Sequence, residues 1–243
     1  GYRFAKQAGH TVVPAVPSLV PIVTREDYCR EMMGLSLRNV TLTVRRAGKK
    51  KPVFSELGEM LFTHFGVSGP LVLSASSHMT GDLGEYSMEI DLKPGLTVQQ
   101  LDARLLRDFE KFINKDFSNA LDELLPRKLI PVAVRLSGIA PDTKVNQIAR
   151  EEREKLISVI KAFPVTPVRF RPVEEAIVTS GGVKVSEVDP HTMESRLVPG
   201  LYFIGEVLDL DAYTGGYNLQ IAFSTARLAA QSMAEDEMTQ WEG

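Results

Sequence analysis

A chain of 243 residues, 44% hydrophobic and 24% charged, has an ordinary globular composition and enough material for one or two packed cores. Its 28 Lys and Arg against 31 Asp and Glu leave a formal net charge of −3, which offers no general attraction to nucleic acid or to an anionic membrane. The single cysteine, Cys29, excludes an intrachain disulfide, and no apolar run approaches the roughly 18 residues of a membrane span or the pattern of a signal peptide, so cytoplasm is the expected compartment.

The first 94 residues read as β-rich, with short apolar or alternating segments at Thr11–Val13, Leu19–Val23, Val40–Val44, Met60–Thr63 and Tyr86–Leu92. Arg45 to Lys51, RRAGKKK, is a basic turn around Gly48. It suits a phosphate or nucleic-acid contact or a solvated hairpin tip, and an acidic chain without interleaved aromatics favours the tip. Ser68-Gly69-Pro70 reads as a helix start, with Ser68 as cap and Pro70 in the first turn.

Helical spacing dominates from Thr97 to Ala162. Leu101, Leu105, Phe109 and Phe112 form one apolar stripe, and Thr97 with Gln100 predicts a capping box. Ala120, Leu121, Leu124 and Leu125 predict a short helix ended by Pro126, and another follows from Lys128. The last, Glu151 to Phe163, carries Leu156, Val159 and Ile160 inside and the run Arg150 to Lys155 outside. Such stripes are core rather than a ligand channel.

Strands return at Pro167–Phe170 and Ala176–Val178. Glu174 to Val188, EEAIVTSGGVKVSEV, predicts a hairpin or bulged strand with a glycine tip. Further on, Leu201 to Ile204 is an apolar run suited to a strand buried on both faces, and Gly205-Glu206 ends it. An acidic loop with Asp209 and Asp211 leads to Thr214-Gly215-Gly216 and a helix beginning near Asn218. That helix shows an apolar face of Leu219, Ala222, Phe223 and Ala226, continued by Ala229, Ala230 and Met233, suited to packing on a sheet. Gly205 lets the chain leave the strand unobstructed, Glu206 can accept hydrogen bonds from a polyol or ribose, and the glycine pair can adopt positive φ beside the helix's unpaired first amides. That geometry suits a large electron-rich cofactor, although a plain strand–loop–helix connection has the same signature. The acidic tail from Ala234 to Gly243 reads as frayed, with Trp241 incidental. His10, His64, His78 and His191 lack ligand spacing, so no metal is expected, and there is no P-loop or Gly-x-Ser-x-Gly elbow.

The run from Val178 to Ala229, VTSGGVKVSEVDPHTMESRLVPGLYFIGEVLDLDAYTGGYNLQIAFSTARLA, resembles the HI0933-like FAD-dependent flavoproteins. Phe62 to Pro70, FTHFGVSGP, matches a second signature, and the opening Gly1 to Ala5, Gly9-His10 and Pro17 to Pro21 a third. A looser likeness extends to flavoproteins of the fumarate reductase type. The resemblance implies an α/β plus α+β, multi-domain fold. Part of a Rossmann-like FAD-binding domain (1–10 and 199–243) would flank an inserted β-barrel-like domain (11–94 and 163–198) with a small helical insert (95–162). The family's pyrophosphate-binding G-x-G-x-x-G turn does not occur, so the chain reads as a C-terminal portion expected to bind FAD weakly or not at all alone.

By the same resemblance, Gly205 and Glu206 should meet the ribityl or ribose–phosphate region of FAD, and Asp211 belongs with the cofactor-binding residues. Thr214, Gly215, Gly216, Tyr217, Asn218, Leu219 and Gln220 should cover the pyrimidine edge of the ring, and Thr179, Ser180, Gly181 and Gly182 should lie beside it. Ala212 and Ala226 stand where the family often has glycine. The implied activity is reduction of a small organic substrate with hydride from NAD(P)H, without nucleic acid or membrane. Tyr213, Tyr217, His64 and Glu206 carry groups able to serve as acid or base, and none is singled out. A non-catalytic binding module, or an RNA-binding flavoprotein resting on RRAGKKK, is the alternative. Substrate, nicotinamide preference and oligomeric state are left open.

Overall fold

The computed structural model describes residues 1–241 in backbone and residues 1–235 in side chain, which leaves the Trp241 side chain, Glu242 and Gly243 outside the described residues. In chain order the elements are α1 (Tyr2–Gln7), β1 (Val12–Ser18), β2 (Ile22–Thr24), α2 (Tyr28–Glu31), β3 (Ser36–Arg46), β4 (Phe54–Phe62), β5 (Gly66–Ser68), α3 (Pro70–Ser76) and β6 (Tyr86–Asp91). They continue with α4 (Val98–Lys111), α5 (Ile130–Ser137), α6 (Arg150–Lys161), β7 (Phe163–Val165), β8 (Pro167–Phe170), β9 (Val178–Val183) and α7 (Tyr217–Trp241). The fold is mixed α and β with antiparallel sheets. The chain divides into two compact units, Pro21–Arg169 and the combination of Gly1–Val20 with Phe170–Gly243.

The Pro21–Arg169 unit holds a seven-stranded sheet in the order β7-β6-β3-β4-β5-β2-β8. Its two edge strands are consecutive in the chain and joined by Thr166 alone, so the sheet must curl until its edges meet, as in a barrel. Thr166 is fixed from both sides: its carbonyl accepts from Arg25 N–H at 3.0 Å and its amide donates to the Glu26 carboxylate at 2.9 and 3.0 Å. Inward alternation along β3 buries Leu37, Val40, Leu42 and Val44. Its register shifts between Leu37 and Val40, and Asn39, at φ +54°, absorbs the extra residue of the bulge. RRAGKKK is the exposed tip between β3 and β4, where Arg46 reaches Glu85 at 2.7 Å and Arg45 reaches Glu89 at 3.6 Å.

The helices of this unit match the periodicity with two corrections. Thr97 and Gln100 form the capping box of α4, with bonds of 3.2 and 2.9 Å. Gly69, not Ser68, caps α3, because Ser68 is committed to pairing with Leu61 in the β4–β5 ladder while Gly69 turns at φ +93°. Ala120 to Leu125 make a single turn closed by Leu125 N–H to Leu121 O at 2.9 Å, since Pro126 lacks the donor to continue and restricts the residue before it.

The other unit is built on the two-stranded β1–β9 ladder. Its core is Ala5, Val183, Val188, Met193, Phe203, Leu208 and Ala229. The glycines of β9 lie within the strand rather than at a hairpin tip, because β1, not a return of the same segment, pairs with it. The bulge falls opposite, where Val13 to Val16 spans only Gly182 to Ser180. Leu201 to Ile204 forms no strand: Tyr202 makes one isolated bridge, to Glu194, and no second neighbour extends it. The apolar stripe of α7 accordingly meets no sheet in its first turns, with Leu219 63% and Phe223 71% exposed. The helix runs on to Trp241 where a frayed tail is expected from the sequence, in a segment of good helix formers. No helix among the described residues is long and apolar enough to cross a membrane.

Cys29 lies buried on α2, and burial pushes its thiol up to about 11. The thiol reagent DTNB at about pH 8 should therefore leave the folded protein unmodified and react stoichiometrically once denaturant is added, since only the thiolate attacks. Reaction of the native protein at the rate of a free thiol would contradict this placement.

Candidate functional site

The site is assembled in the unit that combines the two chain ends, and backbone contacts build it. Gly181 sits at φ +108°, and a Cβ there would lie 2.4 Å from Pro14 O on the bulged strand. Gly182, at φ +147°, faces the opposite way: a Cβ would lie 2.6 Å from Val207 O and 2.7 Å from Leu208 O. Both glycines are therefore required by main chain packed on main chain. Asp209 N–H donates to Val183 O at 2.9 Å, and Val183 pairs in parallel with Leu208, which sets the Gly205–Val207 turn directly against β9.

The same turn is fixed to α7. Gly205 N–H donates to Thr225 Oγ1 at 3.0 Å, and at φ +62° it approaches Ala222 closely enough that a Cβ would come within 3.5 Å of the alanine methyl. The loop that follows is closed by Asn218, whose side-chain oxygen accepts from Ala212 N–H and whose amide donates to Ala212 O, both at 2.8 Å. Ser18 Oγ, buried at the end of β1, donates to Asp211 at 2.6 Å and holds the loop's acidic corner. Gly215 and Gly216 then take φ of +109° and +91°, and nothing lies within 4 Å of a Cβ at Gly216. The first helical bond of α7 runs from Gln220 N–H to Gly216 O at 2.9 Å, so the amides of Tyr217, Asn218 and Leu219 have no acceptor within the helix.

These features enclose a cleft of about 420 Å³ lined by Leu19, Ile177, Val178, Glu206, the Tyr213–Gly216 turn, Asn218 and Leu219. Of the residues expected from sequence, Glu206, Thr214, Gly215, Gly216, Asn218 and Leu219 line it. Gly205 and Asp211 brace its loops, and Tyr217 and Gln220 stand in the first turn of α7. Thr179, Ser180, Gly181 and Gly182 continue β9 immediately beyond the lining residue Val178. Leu19, Ile177 and Val178 are apolar walls that the sequence reading did not select. Leu19 is fully buried at φ +54°, a conformation costing a β- or γ-branched residue about 1–2 kcal/mol, and its carbonyl accepts from Ile177 N–H at 3.1 Å. No periodicity signals that strained corner. His64 lies in the exposed turn between β4 and β5, edge-on to Phe65, in the Pro21–Arg169 unit.

Behind the ladder a buried polar clasp joins the chain ends. His10 lies 3.2 Å from Glu187 through Nδ1 and 2.8 Å from Ser195 Oγ through Nε2, and packs edge-on to Phe203. Ser195 Oγ accepts amides from Leu197 and Val198, so its own proton goes to His10 and Nδ1–H goes to Glu187. Hydrogen bonds from Thr11, with His10 beside it, hold the Glu187 carboxyl below the usual carboxylate range.

The barrel-bearing part of the chain, residues 16–178, matches the family model of the HI0933-like protein barrel and H2TH domain. The chain belongs to the HI0933-like family. Three curated relatives extend the match over nearly the whole chain. The ribosomal RNA dihydrouridine synthase of Escherichia coli (strain K12) is 36% identical over 233 residues, 96% of this chain and 56% of its own length. That of Haemophilus influenzae (strain ATCC 51907 / DSM 11121 / KW20 / Rd) is 37% identical over 236 residues, 96% of this chain and 55% of its own. The 3-dehydro-bile acid delta(4,6)-reductase of Clostridium scindens (strain ATCC 35704 / DSM 5676 / VPI 13733 / 19) is 31% identical over 238 residues, 97% of this chain and 58% of its own. The chain thus spans a little over half the length of these relatives, all of which are named as enzymes.

The clasp has a definite pH signature. Because the folded-state carboxyl of Glu187 is depressed, its contribution is complete above the ordinary carboxylate range and is lost as pH falls through the folded-state value. Thermal melts taken from neutral to acid pH should show a shallower acid limb in Glu187→Gln than in the unaltered protein. Parallel limbs would contradict the clasp.

Proposed function

We propose that this chain carries the flavin-facing part of an FAD-dependent reductase of HI0933-like type, acting on a ring carbon–carbon double bond conjugated to a carbonyl. The single observation that carries the reading is the cleft in which a left-handed Gly215-Gly216 turn, the first amides of α7 and Glu206 converge between apolar walls. The residues present fit the cofactor. The open space at Gly216 admits a flat ring against bare backbone, and amides at a helix start favour an electron-rich carbonyl or nitrogen edge. Glu206 can accept hydroxyl hydrogen bonds, while Leu19, Ile177 and Val178 give the cleft an apolar side. Segments 1–10 and 199–243 would then belong to a Rossmann-like FAD domain, and the exposed stripe of α7 would pack within it.

When bound, the flavin supplies hydride transfer from NAD(P)H to the substrate, and the chain's own residues position, polarise and shield. The names of the relatives agree on one chemistry: dihydrouridine is uridine with its ring double bond saturated, and a delta(4,6)-reductase saturates ring double bonds. Uridine in ribosomal RNA is the first substrate reading, carried by the two relatives at 36% and 37% identity. A small organic enone is the second, favoured by the relative at 31% and by a net charge of −3. A cytoplasmic location suits either.

The test is Gly216→Val in the host's own protein. No neighbour crowds that Cβ, so the fold bears only φ strain of about 1–2 kcal/mol while the isopropyl group fills the cradle. Mass spectrometry of ribosomal RNA nucleosides should show dihydrouridine lost. Unchanged dihydrouridine with lost enone reduction selects the second substrate, and retention of both activities contradicts the cofactor site.

A further inference from the structure

A second cleft, of about 580 Å³, lies in the helical part of the Pro21–Arg169 unit, between the 3-10 turn Phe117–Asn119, α5 and the loop that follows α5. Its floor is apolar and rigid: Ile130, Val134 and Ile139 are 5%, 5% and 3% exposed. Its rim is polar, and the groups there are disposed differently. Arg135 is tethered at one nitrogen, Nη2, which donates to both oxygens of Glu31 at 3.0 and 3.2 Å. Arg127, Asn119 and Asp122 are exposed and have no side-chain partner among the described residues.

We propose that this cleft takes one unpaired nucleotide of single-stranded RNA, with the base on the apolar floor and the phosphate on Arg127. The proposal rests on the ribosomal RNA reading above. A flat base needs an apolar surface and a plane to stack on, which the floor and the tethered Arg135 guanidinium supply. A base edge needs donors and acceptors, and Asn119 offers both. The Asp122 carboxylate accepts from an amino or imino N–H. Arg127 is free to meet phosphate, and a guanidinium does so with two parallel bonds. A cleft of this volume suits one small flat ligand better than a docked helix or strand. A basic patch is not required: one or two cations at a built cleft bind a single strand weakly, with a shallow salt slope of about 0.7 per phosphate contact.

The test uses the full 243-residue chain and a fluorescent, unstructured RNA of roughly 12 nucleotides, read by anisotropy against rising salt. Arg127→Glu and Asn119→Trp both alter exposed rim positions, so the fold is spared and each controls for the other. Each variant should weaken binding about tenfold, and Arg127→Glu alone should lower the salt slope by about one. Absence of binding, or equal binding by all three proteins, overturns the proposal. Loss in Arg127→Glu without loss in Asn119→Trp means a phosphate contact with no base in the cleft, and also overturns it. Full competition by guanosine or uridine monophosphate would make the occupant a free nucleotide and not RNA. Selective retention of a protein partner by the cleft, with RNA ignored, would do the same. Anisotropy needs neither flavin nor turnover. Failure here with dihydrouridine still formed therefore removes the cleft alone, and binding here with none formed removes the reductase reading alone.

Discussion

Main chain packed on main chain at Gly182 is the constraint on which the candidate cofactor site depends. A Cβ at that position would stand 2.6 Å from Val207 O, so only glycine lets the Gly205–Val207 turn lie flat on β9. Once the turn is seated, Gly205 N–H meets Thr225 of α7, and the helix is fixed at the angle that opens the cleft beside Glu206. Gly181 does the same on the other face against Pro14, which holds β1 and with it the strained Leu19 corner. A pair of glycines that could be read as contacts for a ring thus positions the walls of the cleft. The two roles are compatible, since strands stripped of side chains leave room on whichever face the ladder does not use.

The chemistry follows from what those walls leave exposed. Inside the cleft the protein offers a carboxylate, a left-handed glycine turn and helix-start amides against aliphatic side chains. That set can orient and polarise a redox cofactor, and it contains no paired nucleophile and base. Glu187–His10–Ser195 has triad-like spacing, but its histidine and serine are buried and the serine oxygen already accepts two amides, so it fastens these segments together instead of attacking a substrate. Side-chain identity alone would not separate these two cases; burial and hydrogen-bond saturation do.

How much was legible in the sequence varied with the range of the interaction. Local rules served well: the Thr97–Gln100 capping box, the stripe of α4, the β3–β4 hairpin with its basic tip, and the start of α7 each depend on residues a few positions apart. Ser68 was misread as a cap because its fate is settled by pairing with Leu61, seven residues back, and not by its own capping preference. Val178 to Val183 was open to a hairpin reading because its partner, β1, lies more than 150 residues away. The cleft shows the same division. Glu206 and Thr214 to Gly216 announce themselves by residue type, whereas Leu19 and Ile177 are ordinary apolar residues brought to the site by a strained turn and a long-range hydrogen bond.

Hydrogen–deuterium exchange of the host's own protein with and without FAD, resolved to the peptides of α7 and the loop before it, tests the central claim most directly, because it reads the unpaired amides themselves. The account predicts that FAD slows exchange in the 212–220 segment and in the 205–207 turn and leaves the β3–β4 hairpin unchanged. Uniform exchange in the 212–220 segment at saturating FAD, or protection confined to the Pro21–Arg169 unit, would contradict it.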